Sequence, residues 1–143
     1  MMKLILMSAL LALLLMACGS DDEPADPTST PSGTPQEVLN VESLREQAAD
    51  LDGQVVTVRS NYWSDGDRQY LSDIMMESYP PQIPFDMAVI LEGDFPESVL
   101  DLLTRADDVS PAIVWGEVDI TGEVRVDGDE VFLEIHEAFA VQR

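Results

Sequence analysis

The chain has 143 residues, with 28 aspartates and glutamates against seven lysines and arginines, and a formal net charge of −21. That balance opposes a nucleic-acid partner, whose phosphates are held mainly by Lys and Arg, and opposes anionic lipid headgroups as a docking surface. One cysteine and one histidine leave no intramolecular disulfide, no pair of histidine ligands and no cysteine-type zinc site.

The first element in chain order is an apolar leader. Lys3 precedes a run from Leu4 to Met16 that is almost wholly apolar, followed by Ala17-Cys18-Gly19-Ser20. A basic start, an apolar centre and a small residue at the cut are the three parts of an export signal. A membrane-spanning helix needs roughly 20 apolar residues, and the polar residues from Gly19 onward stop the run short of that. Leu15-Met16-Ala17-Cys18 resembles the lipobox of bacterial lipoproteins. The resemblance implies that residues 1–17 are a removed signal peptide and that the Cys18 thiol carries a diacylglycerol. Two acyl chains anchor stably where one is marginal. A plain secretory peptide with an incidental cysteine is the rival reading. In the enteric sorting scheme an aspartate after the cysteine retains a lipoprotein in the inner membrane. Gly19 stands there, which implies the outer membrane if the cell has one, and otherwise the outer face of the cytoplasmic membrane.

Residues 18–36 contain Pro24, Pro27, Pro31 and Pro35 among Ser, Thr, Asp and Gly, with no large apolar side chain in the run from Gly19 to Pro35. Such a segment buries too little surface to offset its ordering entropy and is expected to be a disordered tether, stiffened by its prolines. Residues 37–143 have the size of one domain.

Within that domain Asn40 is placed to cap a short helix with Val41, Leu44 and Ala48 on one face. Asp52-Gly53 is a turn pair. Residues 54–63 (QVVTVRSNYW), rich in β-branched and aromatic side chains, read as a first strand. Asp65-Gly66-Asp67 turns the chain into a second strand over residues 68–72. A proline-rich loop through Tyr79-Pro80-Pro81 leads to a buried third strand at residues 87–92. A helix is then expected, with Asp94 and Glu97 at capping-box spacing, Pro96 in the first turn, and Val99, Leu102, Leu103 and Ala106 forming an apolar stripe. The clearest strand spans residues 113–126. Val118, Ile120, Gly122 and Val124 alternate there with Glu117, Asp119, Thr121 and Glu123, one face dry and the other wet. Asp127-Gly128-Asp129 returns the chain into a last strand, residues 130–141, with Val131, Leu133 and Ile135 inward.

The order is a short helix, three strands, a helix and two strands, a mainly β domain. Three strands, helix, two strands is the order of the OB-fold, a five-stranded Greek-key barrel. The segments DGQVVTVRS, RQYLSD, MAVILE and VDITGEVRVDGDEVFLEIHEAFAV resemble the small OB-like domains of exported bacterial proteins and lipoproteins. One departure is Ser60, where such first strands often carry glycine. A different small β-barrel or a sandwich is the rival architecture.

No catalytic constellation emerges, and neither enzyme activity nor a cofactor is expected. His136 is expected on the solvent side of its strand. Asp65 and Asp67, and Asp127 and Asp129, place hard oxygen ligands at two turns, which raises divalent-cation binding. Both loops lack the spaced ligands and the glycine of an EF-hand, and ordinary solvated hairpin turns account for them better. OB barrels bind ligands on the face of their second and third strands, which draws attention to Tyr62, Trp63, Tyr70 and Tyr79. With only Arg59 and Arg68 nearby, a neutral glycan, a peptide or an envelope protein suits the charge better than nucleic acid. The competing reading is that some of these rings plug the barrel. The sequence thus points to a membrane-anchored, non-enzymatic OB-like binding module of the bacterial cell envelope. An acidic surface lipoprotein that holds divalent cations is the second reading, and a hydrolase using exposed carboxylates is a third.

Overall fold

The computed structural model describes residues 37–142. The expected signal peptide, the lipid attachment at Cys18 and the tether lie outside the described residues. About half of the described chain is β-strand, and little of it is helical. Its strands are β1 (Val38–Leu39), β2 (Val55–Ser64), β3 (Gln69–Ser72), β4 (Val89–Glu92), β5 (Thr104–Ala106), β6 (Ser110–Asp127) and β7 (Glu130–Ala140). The helical pieces are short: α1 (Val41–Glu46), α2 (Ala48–Leu51), a single 3-10 turn at Phe85–Met87, and α3 (Glu97–Leu100).

The seven strands form one mixed sheet in the order β1-β2-β3-β4-β7-β6-β5, and β2 pairs with β6 in addition. Each of β2, β3, β4, β7 and β6 therefore has two paired neighbours within that group of five. β4 runs parallel to β7, and the other pairings in the group are antiparallel. The β2–β6 ladder is the longest uninterrupted one, from Val55↔Glu123 to Ser64↔Val114. β1 and β5 flank this set, and neither was among the five expected strands. Both are too short to carry a two-residue alternation that a sequence reading could detect.

The alternation along β6 is realised. Val118, Ile120, Gly122 and Val124 are buried, and they meet Val56, Val58, Leu91, Leu133 and Ala138 in the main core. Each fully buried aliphatic side chain contributes about 1.5–3 kcal/mol, so this inward row supplies much of the drive for folding. The register of β6 against β7 shifts between Thr121 and Gly122, which pair with Glu137 and Ile135 and leave His136 between them. This bulge reverses the alternation of β7, so Val131 and Leu133 are buried before it and Ala138 after it, while His136 is exposed. A Cβ on Gly122 would stand 2.2 Å from the Glu134 carbonyl oxygen. Only glycine lets the two strands approach this closely.

At the N-terminal end the Asn40 side chain accepts the Ser43 N–H at 2.8 Å, and Val41, Leu44 and Ala48 are buried. The helix is interrupted at Gln47, which separates α1 from α2. The second expected helix differs from its sequence pattern. α3 is one turn long, its N-cap is Pro96 without any side-chain cap bond, and Leu102 is 59% exposed. The chain leaves the helix after Leu100 because Thr104–Ala106 pairs with the start of β6. A single turn gains little on its own, since helix nucleation is costly and short helices are marginal. The ladder with β6 offers the same backbone groups strand partners instead.

Candidate functional site

Neighbouring residues on a strand point to opposite faces, and the β2–β3 hairpin shows the consequence. Tyr62 faces the main core, where its ring centroid lies 4.2 Å from that of Phe95, and its hydroxyl lies 3.1 Å from Gln69 Oε1. Burial pushes its phenol above the ordinary tyrosine value. Trp63 and its cross-strand partner Tyr70 lie on the opposite face and form a second, smaller core with Ile83 and Ala88. The connection between β3 and β4 covers that face. Its Pro81 carbonyl accepts the Trp63 indole N–H at 2.8 Å, and Phe85 sets its ring against Trp63 at 5.4 Å and Tyr70 at 5.1 Å.

Of the four aromatic residues expected to bind a ligand, Tyr62, Trp63 and Tyr70 are therefore buried and present no open ring face. Tyr79 is exposed. Its hydroxyl donates to Asp108 Oδ1 at 2.6 Å, and its ring meets that of Trp115 edge-on at 6.1 Å. The four do not form one platform.

The expected acidic turns are separate hairpin features. Asp65 Oδ1 accepts the backbone N–H groups of Asp67 at 3.0 Å and Arg68 at 2.8 Å. These bonds, the one from Arg68 first, hold the Asp65 carboxyl below its ordinary value. The same oxygen closes the turn, with Gly66 at φ 96° beside it. Asp127 pairs with Glu130 at the far hairpin, and Asp129 lines a groove of about 450 Å³ with Arg68, Phe85 and Asp86. Among the described residues no three His, Cys, Asp or Glu side chains gather in a cluster able to hold a metal ion.

What the sequence reading missed is the outer side of the β3–β4 connection. Ten large apolar side chains are exposed among the described residues, and Ile74, Met76, Tyr79, Phe85 and Met87 in this one segment are five of them. Ile74 and Met87 line a groove of about 370 Å³ against α1, together with Val41, Glu42, Arg45 and Glu46. The two walls are fastened to each other. Asp73 Oδ1 accepts the Val41 N–H at 3.2 Å and Oδ2 the Glu42 N–H at 2.9 Å, while the buried Ser60 hydroxyl donates to Oδ1 at 2.8 Å. At the other end of the connection the Arg45 guanidinium donates to the Ala88 carbonyl at 2.8 Å. Ser60, where the OB-like pattern often has glycine, is thus the inner support of this clamp. The signal available in the sequence was the spacing of apolar residues through a proline-rich segment, too irregular for a strand or a helix to bury.

No family model matches the chain, and no curated protein matches it. A solved structure provisionally described as an aspartyl-tRNA synthetase from Leishmania major Friedlin is similar, with a TM-score of 0.44 and 15% sequence identity. The alignment covers 83% of this chain and 23% of that one, so this chain spans under a quarter of that protein's length. At that level the likeness carries no argument about architecture or activity.

Proposed function

We propose that this protein is a lipid-anchored, non-enzymatic interaction module of the bacterial cell envelope, built on a five-stranded OB-like barrel and presenting its β3–β4 connection to a partner. The observation that carries the reading is the gathering of exposed apolar side chains on that one connection, in a chain whose net charge is −21. Apolar surface concentrated on one region of an otherwise charged protein marks interaction sites. The pairing of β2 with both β3 and β6 supports closure of the five strands into a barrel. In OB-like barrels the face of the second and third strands is the ligand side, and β3, β4 and their connection belong to that side. The anchor is inferred from the lipobox resemblance at Cys18, and the charge argues against nucleic acid as the partner.

Two measurements test the reading. Metabolic labelling with a palmitate analogue is expected to mark the wild-type chain and to be lost in Cys18→Ala, with uncleaved precursor accumulating. An unlabelled wild-type chain removes the anchor. A photo-crosslinking amino acid at position 85, in intact cells, is expected to give a discrete adduct that is absent when the same group stands at position 139, where Phe139 is also exposed. Equal adducts, or none, at the two positions remove the interaction surface.

A further inference from the structure

The groove between α1 and the β3–β4 connection combines an apolar wall with two carboxylates that take part in no ion pair among the described residues. Glu42 and Glu46, one turn apart on α1, are exposed and line it with Val41, Ile74 and Met87. Among the described residues neither glutamate forms an ion pair; the three bridges there are Arg59–Asp119, Arg105–Asp101 and Arg125–Glu92. Arg45 also lines the groove, and its guanidinium donates to the Ala88 carbonyl while keeping its charge, so the lining sets Glu42, Glu46 and Asp73 against one cation. The apolar wall is just as open, with Ile74 46% and Met87 51% exposed. Because Asp73 and Arg45 tie both walls together, an occupant would not have to order them first, which removes one cost of association.

We propose that this groove docks a basic amphipathic polypeptide segment. A large apolar side chain would lie against Ile74 and Met87, with lysine or arginine side chains beside Glu42 and Glu46. Charge complementarity decides the class. The surrounding negative field accelerates encounter with a cation and repels an anion, so an acidic peptide or an anionic bilayer is disfavoured. The proposal rests on the interaction-module reading above and gives its partner a cationic character.

The test pans a random dodecapeptide library against the immobilised full chain, then measures a synthetic copy of one enriched peptide by fluorescence anisotropy. Enriched peptides are expected to combine Lys or Arg with large apolar residues. The double variant Glu42→Gln/Glu46→Gln should weaken binding about tenfold in 20 mM salt, as two exposed charge pairs can, and the difference should vanish in 1 M salt. Ile74→Ser/Met87→Ser should weaken binding about tenfold at either salt concentration. All four side chains are exposed, so unchanged melting temperatures serve as the folding control. Enriched peptides without basic residues, or peptides indifferent to both double variants, overturn the groove and leave the interaction module standing. A library that yields no peptide overturns both. Displacement of the bound peptide by phosphatidylcholine vesicles places the apolar side chains on a bilayer and overturns the proposal.

Discussion

The β6–β7 hairpin and the β3–β4 connection use similar apolar residues to opposite ends. Along β6 every second residue from Val118 to Val124 is buried, and the backbone is held by a ladder that runs to Asp127↔Glu130. Along the connection the apolar residues divide. Ile83 and Ala88 seal the outer side of Trp63 and Tyr70 with the half-exposed Phe85 ring against them, while Ile74, Met76 and Met87 face water. Burying apolar area is worth about 25 cal/mol per Å², and a side chain left half exposed forgoes much of that. The hairpin is therefore organised by folding, whereas part of the connection is not explained by folding at all. That contrast separates structural from functional apolar residues more clearly than hydrophobicity does.

The contrast is sharpest under truncation. Ile120→Ala removes a fully buried side chain from the main core and is expected to cost about 2–5 kcal/mol in denaturant unfolding. Met87→Ala, on the exposed side of the connection, is expected to stay within about 0.5 kcal/mol. Equal losses would mean that Met87 belongs to the core and would erase the distinction. Gly122→Ala probes the hairpin differently, since it adds an atom instead of removing several. The new Cβ meets a backbone carbonyl, which cannot rotate away as a side chain can, and a loss of about 3 kcal/mol is expected. A silent Gly122→Ala would show that β7 slides easily past its bulge.

Asp73 is where the connection joins the folded body, and its carboxylate takes two N–H groups of α1 and the Ser60 hydroxyl. Asp73→Ala is expected to cost about 1–2 kcal/mol, the range of a lost helix cap. Asp73→Asn, which keeps acceptors at one side-chain position, should recover part of that. If Asp73→Ala costs nothing, the groove walls are held by Arg45 alone.

The legibility of these regions in the sequence follows the same division. The alternation from Val118 to Val124, the cap at Asn40 and the turns at Asp65-Gly66 and Asp127-Gly128 could be read because each depends on local geometry. The stripe Val99, Leu102, Leu103 and Ala106 was misleading for the same reason. Its spacing fits a helix, but the partner that claims Thr104–Ala106 is β6, and a pairing partner is not a local property. The aromatic set failed through an available clue. Tyr62 and Trp63 are adjacent on one strand and cannot share a face, so the alternation itself sets one of them apart from the other. The exposed residues of the connection had no period to betray them. Their positions depend on which of them the Trp63–Tyr70 face takes up, and only the folded chain decides that.

The smallest effect concerns Tyr79, which ties the connection to the turn before β6. Its hydroxyl donates to the Asp108 carboxylate. That bond, with the negative charge of Asp108 and Asp107 behind it, holds the phenol above its ordinary value. The sign follows from linkage. A folded-state value above that of the unfolded chain means that the folded protein retains this proton longer, so the stabilisation is complete below about pH 10 and is lost as pH rises through the folded value. Tyr79 is exposed, which keeps the effect small and screened by salt. Subtracting the 295 nm titration of Tyr79→Phe from that of the wild-type chain should leave one phenol that ionises above the ordinary tyrosine range. Asp108→Asn should bring that transition down, because the amide still accepts the hydrogen bond but no longer repels a phenolate. The stability gap between wild type and Tyr79→Phe should close over the same pH interval. A transition at the ordinary value, unmoved by Asp108→Asn, would mean that the connection is not fastened to that turn, and the rigid groove wall would then end at Arg45 and Ala88.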